Sequence, residues 1–432
     1  MVAIDDSLYA FAVNQPANRM ARKIVFRSAT VFDGDSPKLR DNSNVVVSDG
    51  VIREISSRPA DGDAEVIDCA GRVLMPGLID AHVHVYISGL NISRIAQTPM
   101  SYLAHYAARF LKASLDRGFT TVRDVGGADV GLASAIRDGW LDRVPRLLYG
   151  GRILSQTGGH GDARPGDHAL DGVLCCGCSR ADQLAVIADG VDEVRRAVRE
   201  ELRRGANHIK IMASGGVASP TDPLDRCQYS EEEIRAAVDE AERAGSYVAA
   251  HCHPAESVRR AAELGVRSIE HATLIDGPTA DFVAERAAFC VPTMAIIAAL
   301  VEEGEKMGFP PVSMDKLRRI ADSALVSLEI MKRAGVKMAF GTDLLGALHV
   351  RQSTEFTLRA KVLPAINILR AACSTGAELI GQSGRLGCVR EGAMADLLVV
   401  DGNPLQDISV MASGGAQIPV IMKDGKLHKN SL

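Results

Sequence analysis

The sequence predicts an α/β protein: a (β/α)8 TIM barrel carrying a small β-sandwich domain formed from both chain ends. Three observations predict it. Eight apolar segments of strand length alternate with helical patterns between residues 77 and 383, and nearly continuous apolar strands separated by helices make a parallel sheet. Short strand-and-turn patterns without helices fill residues 23–76 and 384–432. A chain of 432 residues, 47% of them hydrophobic, has the material for one large barrel and a smaller companion.

Residues 1–22 read as an N-terminal extension. The first β-rich stretch holds Ile24-Val25-Phe26, Asn44–Val47, Val51–Ile55 and Glu65–Asp68, with turns at Ser48-Asp49-Gly50 and Asp61-Gly62-Asp63. Asp396–Val400, Pro419–Met422 and the turn Lys423–Lys426 repeat the style at the far end, so the two stretches are expected to form one composite domain. Between them, the first barrel strand ends at His84. The others are Thr121–Val125, Arg146–Gly150, His208–Met212, Tyr247–His251, Ser268–His271, Cys290–Thr293 and Lys337–Gly341. Ser230 and Glu233 form a capping-box signature at a helix start, and Gly205, Gly245, Gly265 and Gly335 suit helix C-termini.

A net charge of −5 with no basic block argues against nucleic acid as a partner, and no apolar run reaches membrane-spanning length. The N-terminus lacks the basic-then-apolar pattern of a secretion signal. Nine scattered cysteines, an odd number, favour free thiols in a reducing compartment, so a cytoplasmic location is expected. Cys175-Cys176-Gly177-Cys178 has no second Cys or His pair at finger spacing, which argues against a metal site there.

In a barrel of this kind the site lies at the C-terminal strand ends. The polar residues there are His82 and His84, Lys210, His251 and His253, His271, and Asp343. Each has an ordinary reading: His271 as a packed core histidine, Lys210 as a snorkelling lysine, Asp343 as a helix N-cap. Five of the eleven histidines falling on three strand ends outweighs those readings and points to metal. His82 and His84, two apart on a strand, face the same side. Imidazole and carboxylate without thiolate suit zinc, with manganese, cobalt or iron also compatible. The set is large enough for two divalent ions, and a pair about 3.5–4 Å apart can share a bridging water and polarise a carbonyl. Lys210 fits such a site only as a neutral amine or converted to an anion.

Pro76-Gly77-Leu78-Ile79-Asp80-Ala81-His82-Val83-His84, the lysine of His208-Ile209-Lys210, Ala250-His251-Cys252-His253, Ile269-Glu270-His271-Ala272 and Phe340-Gly341-Thr342-Asp343 resemble the signature set of the amidohydrolase superfamily. The return segment Arg390–Leu397 is similar too. Gly158-Gly159-His160-Gly161-Asp162, with Lys210 and His251-Cys252-His253, most resembles the branch of Xaa-Pro dipeptidases, imidazolonepropionase-like enzymes and ochratoxinases, bacterial ochratoxin A-hydrolysing amidohydrolases foremost. The resemblance implies two divalent ions, zinc foremost, bridged by a carboxylated Lys210 (a CO2-derived carbamate). His82, His84 and Asp343 would complete one ion's ligands, and His251 and His271 the other's. Asp343 would double as general base. His253 would polarise the substrate carbonyl or support a ligand from behind. His160 would be a substrate contact or a plain loop residue. A closed homo-oligomer, an octamer among the options, is also implied.

The loop after the first strand (Val85–Ile92), the one after the fourth (Gly215–Pro220, with Val217) and the one after the seventh (Ile296–Val301) are largely apolar, which suits a hydrophobic acyl or amino-acid side chain. Ser88, Arg226 and Tyr229 are candidates for a substrate carboxylate, or rim residues without a role. The resulting expectation is a binuclear amidase, attacking with a metal-bridging hydroxide the bond between an acyl group and a C-terminal hydrophobic amino acid. N-acyl amino acids and ochratoxin A (cleaved to ochratoxin alpha and phenylalanine) carry such a bond. An Xaa-Pro dipeptidase is the same-class alternative. The bridging lysine weighs against a cyclic-amide hydrolase or deaminase. A non-catalytic barrel scaffold is the alternative of another class, disfavoured because every ligand position is filled.

Overall fold

The computed structural model describes residues 23–58, 64–164, 184–219 and 221–432. The N-terminal extension, the turn at Asp61-Gly62-Asp63, the Cys175–Cys178 cluster and Pro220 fall outside those residues.

The barrel strands, in chain order, are Leu78–Val83, Phe119–Asp124, Arg146–Tyr149 resumed at Ile153–Ser155, Ile209–Met212, Val248–Pro254, Ser268–Leu274, Phe289–Val291 and Lys337–Met338. Consecutive strands pair in parallel. The third is interrupted because Gly151 takes φ +70° and a Cβ there would overlap the Glu201 carboxylate. Its second half pairs with the fourth strand at Leu154 and Ile211, carrying the circle onward. Closure between the eighth and first strands is made past the regular ladder. Ala81 N donates to Phe340 O at 2.7 Å, and Asp343 N donates to His82 O at 2.8 Å. The eighth strand can come this close because Gly341 has no side chain; a Cβ there would sit 2.7 Å from His82 Cβ and overlap Val291. Ala185–Ile187, a short strand the sequence pattern does not announce, adds to the outside of Ile153–Ser155.

Both chain ends build one eight-stranded mixed sheet. Leu397–Val400 lies between Val73–Pro76 and Val420–Lys423, antiparallel to both, and Ile24–Val31 continues the sheet on the far side of Val73–Pro76. This sheet has its own core, with Phe26, Val45, Ile52, Leu74, Leu397 and Val420 buried. It supports the barrel at the N-terminal strand ends: Gly77 N donates to Asp396 O at 2.8 Å, and Arg146 reaches Asp396 at 2.9 Å.

Helix Glu231–Arg243 opens on the expected capping box of Ser230 and Glu233. Gly335 ends helix Pro311–Ala334 in the left-handed conformation, its N–H returned to Met331 and Lys332 carbonyls. One expectation is corrected. The apolar stretch after the seventh strand is not a loop but helix Met294–Glu303. No Gly or Pro interrupts it before Gly304, and its apolar residues are buried on most sides, so a continuous greasy run is satisfied as a core helix.

Gly341→Ala is expected to cost about 1–3 kcal/mol by forcing the eighth strand off the first. The check is a lower urea midpoint with an unchanged slope.

Candidate metal centre

The site is built from the barrel floor upward. Arg123, on the second strand, is fully buried and crosses the interior. It donates to Ala81 O at 2.6 Å, Ser268 Oγ at 3.1 Å and Glu270 Oε1 at 2.9 Å. Glu270 also accepts from Ser268 Oγ at 2.6 Å, and its second oxygen lies 2.7 Å from His82 Nδ1. Burial works against a charge on Glu270, yet Arg123 and His82 outweigh it and hold the carboxyl well below its usual range. An ionised carboxylate only accepts, so the His82 proton sits on Nδ1 and the Nε2 lone pair faces the barrel mouth.

His84 is set the same way through backbone. Its Nδ1 donates to Gly126 O at 2.8 Å. That turn is wrapped around the buried Asp124 carboxylate, which accepts from the N–H groups of Val85 (2.6 Å), Gly126 (2.9 Å) and Ala128 (3.0 Å). The two free nitrogens converge on one atom: Asp343 Oδ1 lies 3.4 Å from His82 Nε2 and 3.3 Å from His84 Nε2. Burial would raise the Asp343 pKa, but the surrounding imidazoles, His82 foremost, hold it well below the usual carboxylate range.

The opposite wall comes from the fifth and sixth strands. His271 Nδ1 meets Thr293 Oγ1 at 2.9 Å, and His253 Nδ1 meets Thr273 Oγ1 at 2.7 Å. His251 turns Nε2 toward Gly215 O at 3.3 Å, leaving Nδ1 as its other ring nitrogen. Ring centroids are 5.0 Å apart for His82 and His271, 4.6 Å for His251 and His271, and 4.7 Å for His251 and His253. Burial pushes the His251 and His271 pKa values well down, and that of His253 to about 3, so these rings are neutral and keep a lone pair. Lys210 is 1% exposed, and burial, the largest effect, lowers its pKa against the pull of Glu270 and Asp343. Two site residues, His271 (φ 72°) and Asp343 (φ 54°), occupy the left-handed region, a cost of about 1–3 kcal/mol each that the surrounding fold carries.

Imidazoles with one ring nitrogen tied down, and a carboxylate shared between His82 and His84, form a donor set that fits divalent cations. Donor atoms of His82, His271 and Asp343 all lie within 4.8 Å of one another.

Among the other sequence candidates, His160 is brought to this cluster. It stacks on His251 at 4.5 Å, and its Nδ1 lies 3.1 Å from Asp222 Oδ2. Val217 is buried beside Gly216, whose missing side chain leaves space for the rings of His160 and His251. Ser88 sits on the loop after the first strand, its backbone oxygen against Gly346. Arg226 is exposed. Tyr229 is buried in the core, its pKa raised by burial and by Glu233 and Asp189. Among the described residues, none of these last three makes a hydrogen bond or ring contact with the imidazole cluster. Sequence reasoning passed over Glu270, Asp124, Thr273, Thr293, Asp222 and Lys316. Only Glu270 carried a signal, as the residue before a strand-end histidine in the motif around His271.

A model described as the amidohydrolase family matches residues 73–427. Ochratoxinase of Aspergillus niger is 35% identical over 431 residues, covering 95% of this chain and 87% of that protein. A crystal structure of an amidohydrolase is 48% identical, with a TM-score of 0.92, covering 95% of this chain and all of that one. A prolidase complexed with N-methylphosphonate-L-proline is 46% identical at a TM-score of 0.91, again over 95% and 100% of the two chains.

Glu270→Gln keeps the shape of the His82 partner and removes its charge. It is expected to weaken zinc affinity about 10–100-fold, measured by competition with a chromogenic chelator.

Proposed function

The chain belongs to the amidohydrolase family and is a hydrolase of amide bonds, and from that premise we propose that it cleaves the amide joining an acyl group to an amino acid with a free carboxylate. The observation that carries this reading is the convergence of His82 Nε2 and His84 Nε2 on one oxygen of Asp343, with both Nδ1 atoms tied down behind them.

In this reading His82, His84 and Asp343 hold one divalent ion and His251 and His271 a second. When bound, the ions supply Lewis-acid polarisation and lower the pKa of water. Lys210, buried on the strand beside the one carrying His251, has its pKa lowered by burial, which favours the neutral amine. As its carbamate, formed when the amine nitrogen bonds to CO2 and loses a proton, it is an anion that a dicationic site favours. Asp343 takes the proton from the attacking water and passes it to the departing amine nitrogen. His253 serves the carbonyl oxygen. The Thr273 hydroxyl, 2.7 Å from Nδ1, is able to donate to it; that tautomer leaves the His253 proton on Nε2 to stabilise developing negative charge.

Ochratoxin A, N-acyl amino acids and Xaa-Pro dipeptides share this linkage and differ at the leaving amino acid. The apolar loop carrying Val217 favours a hydrophobic one. The 46% identity to a protein that takes an L-proline phosphonate supports an imino acid as the second reading.

The test is metal content per chain, by plasma mass spectrometry, with hydrolysis of N-acyl-phenylalanine, ochratoxin A and an Xaa-Pro dipeptide before and after chelation. The reading expects close to two ions and chelator-sensitive cleavage; no hydrolysis after reconstitution with zinc and bicarbonate would sink it. Lys210→Ala is expected to lose metal together with activity. Asp343→Asn should stay folded and lose turnover by about 100-fold or more. His253→Ala should keep its metal and lose rate.

A further inference from the structure

The segment between the fourth barrel strand and helix Glu231–Arg243 passes over His251, and its main chain is gathered around one ammonium from a distant element. Lys316, on helix Pro311–Ala334, donates to Gly216 O at 3.1 Å, to Ser219 O at 2.8 Å and to Asp222 O. All three ammonium protons are used, and the Asp222 carboxylate lies 3.9 Å away. The lysine side chain is 12% exposed and Asp222 only 2%.

Asp222 carries the connection inward. Its Oδ2 accepts from Gly216 N at 3.0 Å and Gln228 Nε2 at 3.3 Å, and lies 3.1 Å from His160 Nδ1. Gln228 Oε1 accepts from His160 N at 2.9 Å, so ring and backbone of His160 are held by the same two side chains. His160 then lies flat on His251, 22° from parallel, across a glycine that admits no Cβ. A continuous set of polar contacts thus runs from a peripheral helix to the face of a candidate metal ligand.

We propose that Lys316 is a positioning residue: by caging three carbonyls of this segment and backing Asp222, it fixes the His160 ring over the centre and so governs turnover without touching metal or substrate. The kinetic part rests on the amidase reading; the mechanical part does not. Three carbonyls and a buried carboxylate left without their cation would loosen the segment, and a ring displaced by about 1 Å can cost roughly 100-fold in rate.

The experiment combines hydrogen exchange with a double-mutant cycle on the full chain. Lys316→Met is expected to speed amide exchange in residues 213–229 and also in 158–162, with barrel-strand peptides unchanged and metal content per chain retained. It is expected to lower kcat/KM by about 100-fold, and to add little once His160→Ala is present, because both act through one ring. Asp222→Asn, which keeps the shape of the relay, is expected to reproduce the exchange change at 158–162 and serves if Lys316→Met does not fold. Unchanged exchange at 158–162, losses that multiply in the double mutant, a silent His160→Ala, or loss of metal in Lys316→Met would each overturn the proposal. Absence of amide hydrolysis in the unsubstituted protein would instead overturn the amidase reading, with the exchange measurements still deciding the role of Lys316.

Discussion

The buried Arg123–Glu270 pair is the interaction on which the site rests. Both side chains are 0% exposed, so neither charge has solvent to fall back on. Breaking such a pair from one side costs about 3–5 kcal/mol. That cost supports position: Glu270 holds the ring of His82, and Arg123 ties the first strand to the sixth through Ala81 O and Ser268. On the opposite wall, His251, His253 and His271 stay neutral because burial opposes their charging, and neutrality is what a metal ligand needs. Asp343, held well below the usual carboxylate range, is where His82 Nε2 and His84 Nε2 meet.

The barrel was legible because its strands read as apolar runs and its functional residues recur at their C-terminal ends. The same logic picked out His82, His84, Lys210, His251, His253, His271 and Asp343, which the fold gathers at one mouth. What was not legible follows a pattern. His84 is oriented by the backbone oxygen of Gly126, and the residue arranging that turn, Asp124, ends a different strand. Lys316 acts on carbonyls, which carry no residue identity, from a helix remote in sequence. Thr273 and Thr293 look like ordinary strand residues until paired with a ring. Helix Met294–Glu303 was read as loop because an apolar run buried on most sides has no periodicity to betray it.

In the proposed reading, specificity and catalysis belong to separate parts of this architecture. Candidate metal ligands come from strands whose register is fixed by barrel closure. The wall that would meet an amino-acid side chain comes from the segment carrying Gly216 and Val217, held from outside by Lys316.

The small sheet has a consequence for how the chain comes to be folded. Leu397–Val400 is a central strand, flanked by Val73–Pro76 on one side and Val420–Lys423 on the other. Val73–Pro76 leads directly into the first barrel strand and has only Ile24–Val31 as an early partner, so its other edge lacks a neighbour until almost the whole polypeptide has emerged. Loop-closure entropy must be met before that pairing gives anything back. During synthesis the edge of Val73–Pro76 is open, with fully buried Leu74 and Met75 still exposed to water. In that interval the unpaired edge has the features of an aggregation-prone strand.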